Sequence, residues 1–378
     1  MFMVATGITV LGAETMLVLV AAAAPTTGPQ GGAPTFERVL ELRATGDPAT
    51  PSVSGNSLLD HGLSVPVGST SLRPITTGPA DRTTVLCAEF TDPISYRSDR
   101  FGFNNPDEVW DRDTIDVILL GDSYTHGVCV EPEHQIASYL RETMGAVNLG
   151  IRGVGPFHEL AILREYGGLR PTRHVVWVFY EGNDLWDLHG TEAGQPWLHE
   201  YLDGTHTQRL ADHQLEIDRA YDAWLDSLVS LSPEQIGERL EGFRPGILES
   251  LKSVPRLEAL QRLVGFGVLA PSRKSALGQL PEILAQARAE VAGAGGEFLV
   301  VYLPAFNRFT THFGEGTPGR TEFVRLMSEI DMPFLDLVPV FEETGHPREL
   351  WTNPRGHLSP EGYRVVADAI TQVISPPA

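Results

Sequence analysis

Residues 116–127 read Asp-Val-Ile-Leu-Leu-Gly-Asp-Ser-Tyr-Thr-His-Gly, an apolar run of strand length that ends abruptly in Gly121-Asp122-Ser123. In an open α/β sheet, ligands bind at the carboxyl ends of the strands, so a serine at this point would lie at the mouth of a site. Two interpretations of Ser123 are open from this stretch alone. The residue is either a nucleophile or the N-cap of the next helix, because serine is a favoured N-cap residue.

Outward from this stretch, strands alternate with helices. Apolar runs of strand length recur downstream, and amphipathic patterns of helical period lie between them. Strands that are apolar throughout and alternate with amphipathic helices indicate a parallel sheet covered on both faces. The predicted strands are 117–120, 147–150, 175–180, 298–303 and 334–337, and the predicted helices are 134–143, 157–166, 280–291, 320–330 and 360–374.

Three regions depart from this alternation. Residues 1–24 are almost wholly apolar and end in alanines, which predicts a signal or membrane-anchor segment and hence an exported or membrane-tethered protein, although no basic residue precedes the apolar run. Residues 25–84 predict a linker followed by short strands or irregular chain. Residues from about 189 to 278 exceed loop length and predict a helical insertion beside the site, either as a lid or as a packing element.

The composition excludes one class of ligand. The 378 residues include 28 basic and 49 acidic side chains, for a formal charge of -21. Such a charge repels nucleic acid and favours neutral or cationic substrates, so we expect no nucleic-acid partner. Cys87 and Cys129 are too few for a disulfide framework or a zinc site, and they fit either one disulfide or two free thiols.

Short polar motifs at the predicted strand ends supply the parts that acyl transfer needs. A serine hydroxyl becomes nucleophilic when a base takes its proton, and His357 is a suitable base. The backbone N–H groups of Ser123 and Gly153 and the side-chain amide of Asn183 could stabilise the tetrahedral oxyanion. The four motifs are Gly121-Asp122-Ser123, 148–153, 180–184 and 356–360.

With these motifs in this order, the chain resembles the SGNH/GDSL-type hydrolases, a family of esterases, lipases and carbohydrate deacetylases. The resemblance runs from about residue 85 to the C-terminus, outside the 189–278 insertion. It implies a flavodoxin-like three-layer α/β/α fold with a central parallel sheet. It also implies Ser123 as nucleophile, His357 as base, Ser123, Gly153 and Asn183 as the oxyanion hole, and neither a metal nor a cofactor.

One position departs from the family pattern. Members usually place an aspartate two or three residues before the catalytic histidine, where this chain has Arg355 and Pro354. Another group would then have to orient His357. Asn353 is the first candidate, since an asparagine has this role in papain-like enzymes. The alternatives are a backbone carbonyl of residues 351–353, and a more distant acid, Asp336 or Asp187.

The resulting expectation is a serine esterase that hydrolyses a short, acetyl-like ester on a small molecule or an acylated glycan. Two alternatives remain: an O-acyltransferase that acts on a cell-envelope or exported polysaccharide, and a catalytically idle domain that binds glycan or a partner. An α/β-hydrolase elbow fits less well, because its Gly-x-Ser-x-Gly pattern would need a glycine where the chain has Thr125.

Overall fold

The computed structural model describes residues 32–55, 57–58, 63–87, 93–231, 235–236, 239, 277–309, 318–352 and 356–375. The strands are β1 (Thr50–Pro51), β2 (Val65–Val67), β3 (Thr70–Leu72), β4 (Thr83–Cys87), β5 (Ile94–Arg97), β6 (Ile115–Gly121), β7 (Ala146–Asn148), β8 (Thr172–Tyr180), β9 (Glu297–Leu303) and β10 (Phe334–Asp336). The α-helices are α1 (Gly32–Ala44), α2 (Ser123–His126), α3 (Ile136–Leu140), α4 (Pro156–Ile162), α5 (Asp184–His189), α6 (Pro196–His199), α7 (Gln214–Leu228), α8 (Leu280–Gly293), α9 (Pro318–Glu329), α10 (Leu337–Glu343) and α11 (Pro360–Ile374).

Five of these strands form one parallel sheet in the order β7-β6-β8-β9-β10. The chain leaves β6, pairs β7 on one side of it, and then crosses to the other side for β8. This doubly wound order creates a crevice at the carboxyl ends of β6 and β8, which is where such sheets bind ligands. Ser123 follows β6 at this crevice.

Helices cover both faces of the sheet, so the fold has three α/β/α layers, as predicted. On one face, α4, α8 and α9 pack against side chains such as Ile118, Trp177 and Val300. On the other face, α3, α10 and α11 pack against the alternate residues, such as Leu119 and Val176. The strands are buried from both sides, which explains why their sequences are apolar throughout instead of alternating with polar residues.

A second, small sheet packs beside the carboxyl edge of the central sheet. In it β4 pairs parallel to β1 and antiparallel to β5. The segment after β1 reaches the central domain, because the N–H of Gly55 donates to the carbonyl of Arg152. Helix α1 precedes this sheet and buries Phe36 and Val39. The sequence pattern there was too weak to predict that helix.

Two further regions were singled out from the sequence. The segment predicted as a helical insertion contains α6 and α7, and α7 packs Ile217 and Tyr221 into the core. The apolar segment 1–24 lies outside the described residues. No helix in the described ranges has both the length and the apolar character that a membrane span requires. Cys129 is disulfide-bonded, and the sequence holds one other cysteine, Cys87.

Candidate active site

The turn after β6 places Ser123 at the first position of α2. Gly121 has φ +152°, and a Cβ there would lie 2.9 Å from the carbonyl oxygen of Val178, so the turn requires glycine. Asp122 is the N-cap of α2, since its carboxylate accepts the N–H of Tyr124 at 2.9 Å. The serine is therefore not the cap. The residue is half-buried, and its hydroxyl, which lies 3.5 Å from the Asp122 carboxylate, also has a closer partner.

That partner is His357. The Nε2 atom of His357 lies 2.9 Å from Ser123 Oγ, although 234 residues separate them in the chain. An antiparallel bridge holds the histidine: Trp351 pairs with Leu358, and the N–H of Thr352 donates to the carbonyl of His357 at 3.0 Å. The two side chains form a hydroxyl–imidazole pair at the carboxyl edge of the sheet, which is the arrangement that a serine nucleophile and its base require.

Two tyrosines support the imidazole. The ring of Tyr124 lies 4.8 Å from that of His357 and 4.1 Å from that of Tyr180, measured between centroids. The hydroxyl of Tyr124 donates to that of Tyr180 at 3.0 Å and lies 3.5 Å from the carbonyl oxygen of Gly356. Burial raises the pKa of Tyr180 to about 12, so both hydroxyls stay protonated near neutral pH. No local sequence pattern predicts this contact, because it joins residues that are far apart in the chain.

Asn183 lies next to the serine turn. Its amide donates to Asp187 at 2.8 Å and also hydrogen-bonds Asp122. Burial raises the pKa of the Asp122 carboxyl, and hydrogen bonds from Tyr124 and Asn183 partly offset that rise. The structure therefore brings Asn183 to the residue that precedes Ser123, and two carboxyl groups hold its amide.

The loop after β7, which contains Gly153, runs beside the turn that contains Ser123. The N–H of Ile151 donates to the carbonyl of Gly121 at 3.1 Å, and the N–H of Arg152 donates to Nδ1 of His126 at 3.3 Å. Gly153 has φ +67°, a left-handed conformation that favours glycine. Its own N–H makes no hydrogen bond with any residue in the described ranges. That N–H is available to a ligand oxygen.

A cluster of five buried carboxyl groups lies behind this edge. Burial raises the pKa values of Glu159 and Asp184 well above their usual range, and neighbouring carboxyl groups raise them further. Burial also raises the pKa of Glu192 to about 7, although that side chain accepts three N–H groups at the start of α4. Asp122 and Asp187 complete the cluster. Within the described ranges, no group of His, Cys, Asp and Glu side chains has the arrangement of a metal site.

The remaining sequence candidates have different positions. Asn353, Pro354 and Arg355 lie outside the described residues, so the role of Asn353 stays a prediction. Asp336 caps α10 through the N–H of Val338 and pairs with Arg320, so it already has other partners.

Two aromatic residues that follow the strand-end motifs, Phe157 and Trp186, differ in exposure. Phe157 is buried and stacks on His199 at 4.3 Å, which makes it a core residue. Trp186 is 53% exposed on α5, one helical turn after Asn183. Among these aromatic residues, Trp186 is therefore the one with a face available to a ligand.

Comparisons with known proteins add little to this geometry. No family model matches the chain, and no curated protein matches it. One similar solved structure is a protein assigned as lipolytic and of the G-D-S-L family, from Desulfitobacterium hafniense DCB-2. The two chains are 13% identical, the match covers 69% of this chain and 99% of that chain, and the TM-score is 0.33. A TM-score this low does not establish a shared fold or function. Membership of the SGNH/GDSL family therefore stays a prediction, and the fold rests on the strand order and layers described above.

Proposed function

We propose that the protein is a metal-independent serine esterase with Ser123 as nucleophile and His357 as general base. One observation carries the proposal: the 2.9 Å contact between Ser123 Oγ and His357 Nε2, at the crevice where a doubly wound sheet binds ligands. A hydroxyl and an imidazole within hydrogen-bond reach are the minimum apparatus for nucleophilic acyl transfer.

The reaction follows from this contact. Ser123 Oγ attacks the ester carbonyl while its proton moves to His357 Nε2. The tetrahedral intermediate then breaks its bond to the alcohol oxygen, which leaves with the proton from Nε2, and an acyl-serine remains. Water repeats the sequence in the second half: Nε2 takes a proton from the water, and the released serine oxygen regains it as the acid departs.

The charge that develops on the carbonyl oxygen needs fixed donors. In our proposal, the N–H of Gly153 is the first donor, because it is not bonded within the described chain. Asn183 is the second donor, and it joins when its amide turns from Asp122 toward the substrate. Removing one such donor from other serine hydrolases costs about 10²–10³ in kcat.

The substrate class is also part of the proposal. The formal charge of -21 disfavours anionic substrates, which supports a neutral ester. The exposed ring of Trp186, one turn from Asn183, is suited to stack on the apolar face of a sugar. We therefore propose a short acyl group on a carbohydrate as the substrate, in line with the family resemblance.

The test compares Ser123→Ala with Ser138→Ala on an aryl acetate. Ser138 is a matched control, because its hydroxyl donates to the carbonyl of Pro132 outside the site. We expect Ser123→Ala to lower kcat by about 10³-fold or more and Ser138→Ala to leave it within about twofold. Undiminished turnover in Ser123→Ala would overturn the proposal.

A second measurement separates the alternative functions. A fluorophosphonate probe should label Ser123 in the wild-type protein and leave Ser123→Ala unlabelled. A folded wild-type protein that the probe does not label would indicate an idle binding domain. A labelled protein that acylates an added glycan in preference to releasing free acid would instead indicate an acyltransferase.

A further inference from the structure

His126, the last residue of α2, connects the serine turn to the loop that carries Gly153. Its imidazole is buried between two partners. The Nδ1 atom lies 3.3 Å from the backbone nitrogen of Arg152, and the Nε2 atom lies 3.2 Å from the hydroxyl of Tyr96. The rings of His126 and Tyr96 meet edge to face, with their centroids 5.7 Å apart.

These partners define the tautomer of the ring. A backbone N–H can only donate, so Nδ1 of His126 must be the acceptor, and Nε2 then carries the hydrogen and donates to Tyr96. Burial lowers the pKa of His126 to about 3, and the positive charge of Arg152 contributes to the same shift. The imidazole therefore stays neutral near neutral pH and keeps its acceptor toward Arg152.

The backbone of Arg152 is held from the opposite side as well. Its carbonyl accepts the N–H of Gly55 at 2.8 Å, and its guanidinium donates to the carbonyl of Ser52 at 3.0 Å. A Cβ on Gly55 would lie 2.9 Å from the carbonyl oxygen of Gly153, so the two backbones touch. The loop is therefore held by two sets of contacts, from the segment after β1 and from His126.

We propose that His126 is a positioning residue for the oxyanion donor of the reaction. By accepting the N–H of Arg152, it fixes the peptide between Ile151 and Arg152, one unit before the peptide that carries the Gly153 N–H, and so restricts the direction of that N–H toward the carbonyl oxygen of the substrate. The inference rests on the proposed function. A displacement of about 1 Å in such a group costs up to about 10² in rate, so the effect is measurable.

Two conservative variants isolate this role. In His126→Asn the side-chain oxygen occupies the place of Nδ1 and can still accept the N–H of Arg152. In His126→Gln the amide reaches the place of Nε2, toward Tyr96, and loses the acceptor at Nδ1. The matched control is His158→Gln, which alters another buried neutral histidine, bonded to the carbonyl of Ile75 and outside the serine turn.

We expect His126→Gln to lower kcat by about tenfold or more with KM within about threefold, measured on the aryl acetate. His126→Asn should restore kcat to within about threefold of wild type, and His158→Gln should leave kcat unchanged even if it lowers Tm. If His126→Gln does not fold, folded His126→Asn decides: retained kcat supports the proposal, and a tenfold loss overturns it.

The outcomes also distinguish this inference from the proposed function. Wild-type protein without Ser123-dependent turnover would overturn both. Wild-type turnover together with equal kcat in His126→Gln, His126→Asn and wild type would overturn only the role of His126. Equal losses of kcat in His126→Gln and His158→Gln would also overturn it, since they would indicate a general loss of stability.

Discussion

The two halves of the candidate catalytic pair are held by different forces. On the serine side, residues 121–127 are fixed by directional hydrogen bonds in a buried polar network: Asn148 donates to the carbonyl of Thr125, and Asn104 donates to the carbonyl of His126. On the histidine side, His357 lies next to the antiparallel bridge between Trp351 and Leu358, and Trp351 packs against aromatic rings. A polar network loses its geometry when one member is removed, whereas apolar packing tolerates small changes of shape.

The largest expected difference between the two sides is in stability. Asn148→Ala removes a side chain that bonds the carbonyl of Thr125, the N–H of Gly150 and the side chain of Gln135, all of them buried. Each orphaned group costs about 1–3 kcal/mol, so we expect a loss of about 4 kcal/mol in the free energy of unfolding. Denaturant unfolding measures this loss, provided that the variant and the wild type have the same m-value.

The matched variant on the histidine side is Thr352→Ala. The hydroxyl of Thr352 donates to the carbonyl of His357 at 3.1 Å, and the residue is exposed. Water can replace this bond, so we expect a loss of no more than about 1 kcal/mol. Equal losses in Asn148→Ala and Thr352→Ala would show that the two sides do not differ in the way that we describe.

The buried carboxyl cluster behind the serine side should also respond to pH. The pKa of Glu192 is raised to about 7 by burial, from 4.5 in the unfolded chain. Between about pH 4.5 and 7 the unfolded state loses this proton while the folded state keeps it, so stability falls as pH rises. The titration of Glu192 alone lowers the free energy of unfolding by about 3 kcal/mol over this pH range. Glu192→Gln should lack this part of the pH dependence of the free energy of unfolding. Urea unfolding at several pH values measures that dependence.

The control is Glu343→Gln on α10, where the glutamate is exposed. In Glu343→Gln the free energy of unfolding should depend on pH as it does in the wild type. Glu192→Gln will also lower stability at every pH, because an amide has one acceptor oxygen for the three N–H donors. The slope within each protein is therefore the quantity to compare. A slope in Glu192→Gln equal to that of the wild type would contradict the raised pKa.

The same contrast explains how far the sequence could predict the molecule. Strands such as β6 and β8 are long and apolar, so the pattern predicts the layered parallel sheet, which the structure confirms. Ser123 and His357 were predicted to meet because parallel strands end at one edge. Helix α10 was missed, since the predicted strand ran on to Leu337, where the structure begins a helix capped by Asp336.

Other contacts could not be predicted from a local sequence pattern, because they join distant parts of the chain. Tyr96 bonds His126 across 30 residues, and Tyr124 approaches Gly356 across 232 residues. Each of these side chains is an ordinary core residue when judged from its own neighbours. Its role depends on tertiary packing that periodicity does not encode. The same holds for the clamp of Gly55 on the Gly153 loop, in a region that the pattern predicted as linker and irregular chain.

The smallest expected effect tests whether aromatic packing alone holds the histidine. Tyr124→Phe keeps the ring against His357 and removes the hydroxyl that meets Tyr180 and Gly356. One hydrogen bond of this kind contributes about 1 kcal/mol, so kcat on the aryl acetate should fall about fivefold if the whole cost reaches the transition state.

Tyr124→Leu is the comparison, because it removes the ring as well. If packing positions the imidazole, kcat should fall much further in Tyr124→Leu than in Tyr124→Phe, at temperatures where both proteins are folded. Equal kcat values in the two variants would mean that the hydroxyl of Tyr124, and not its ring, holds His357 in place. The histidine side would then depend on directional bonds in the same way as the serine side.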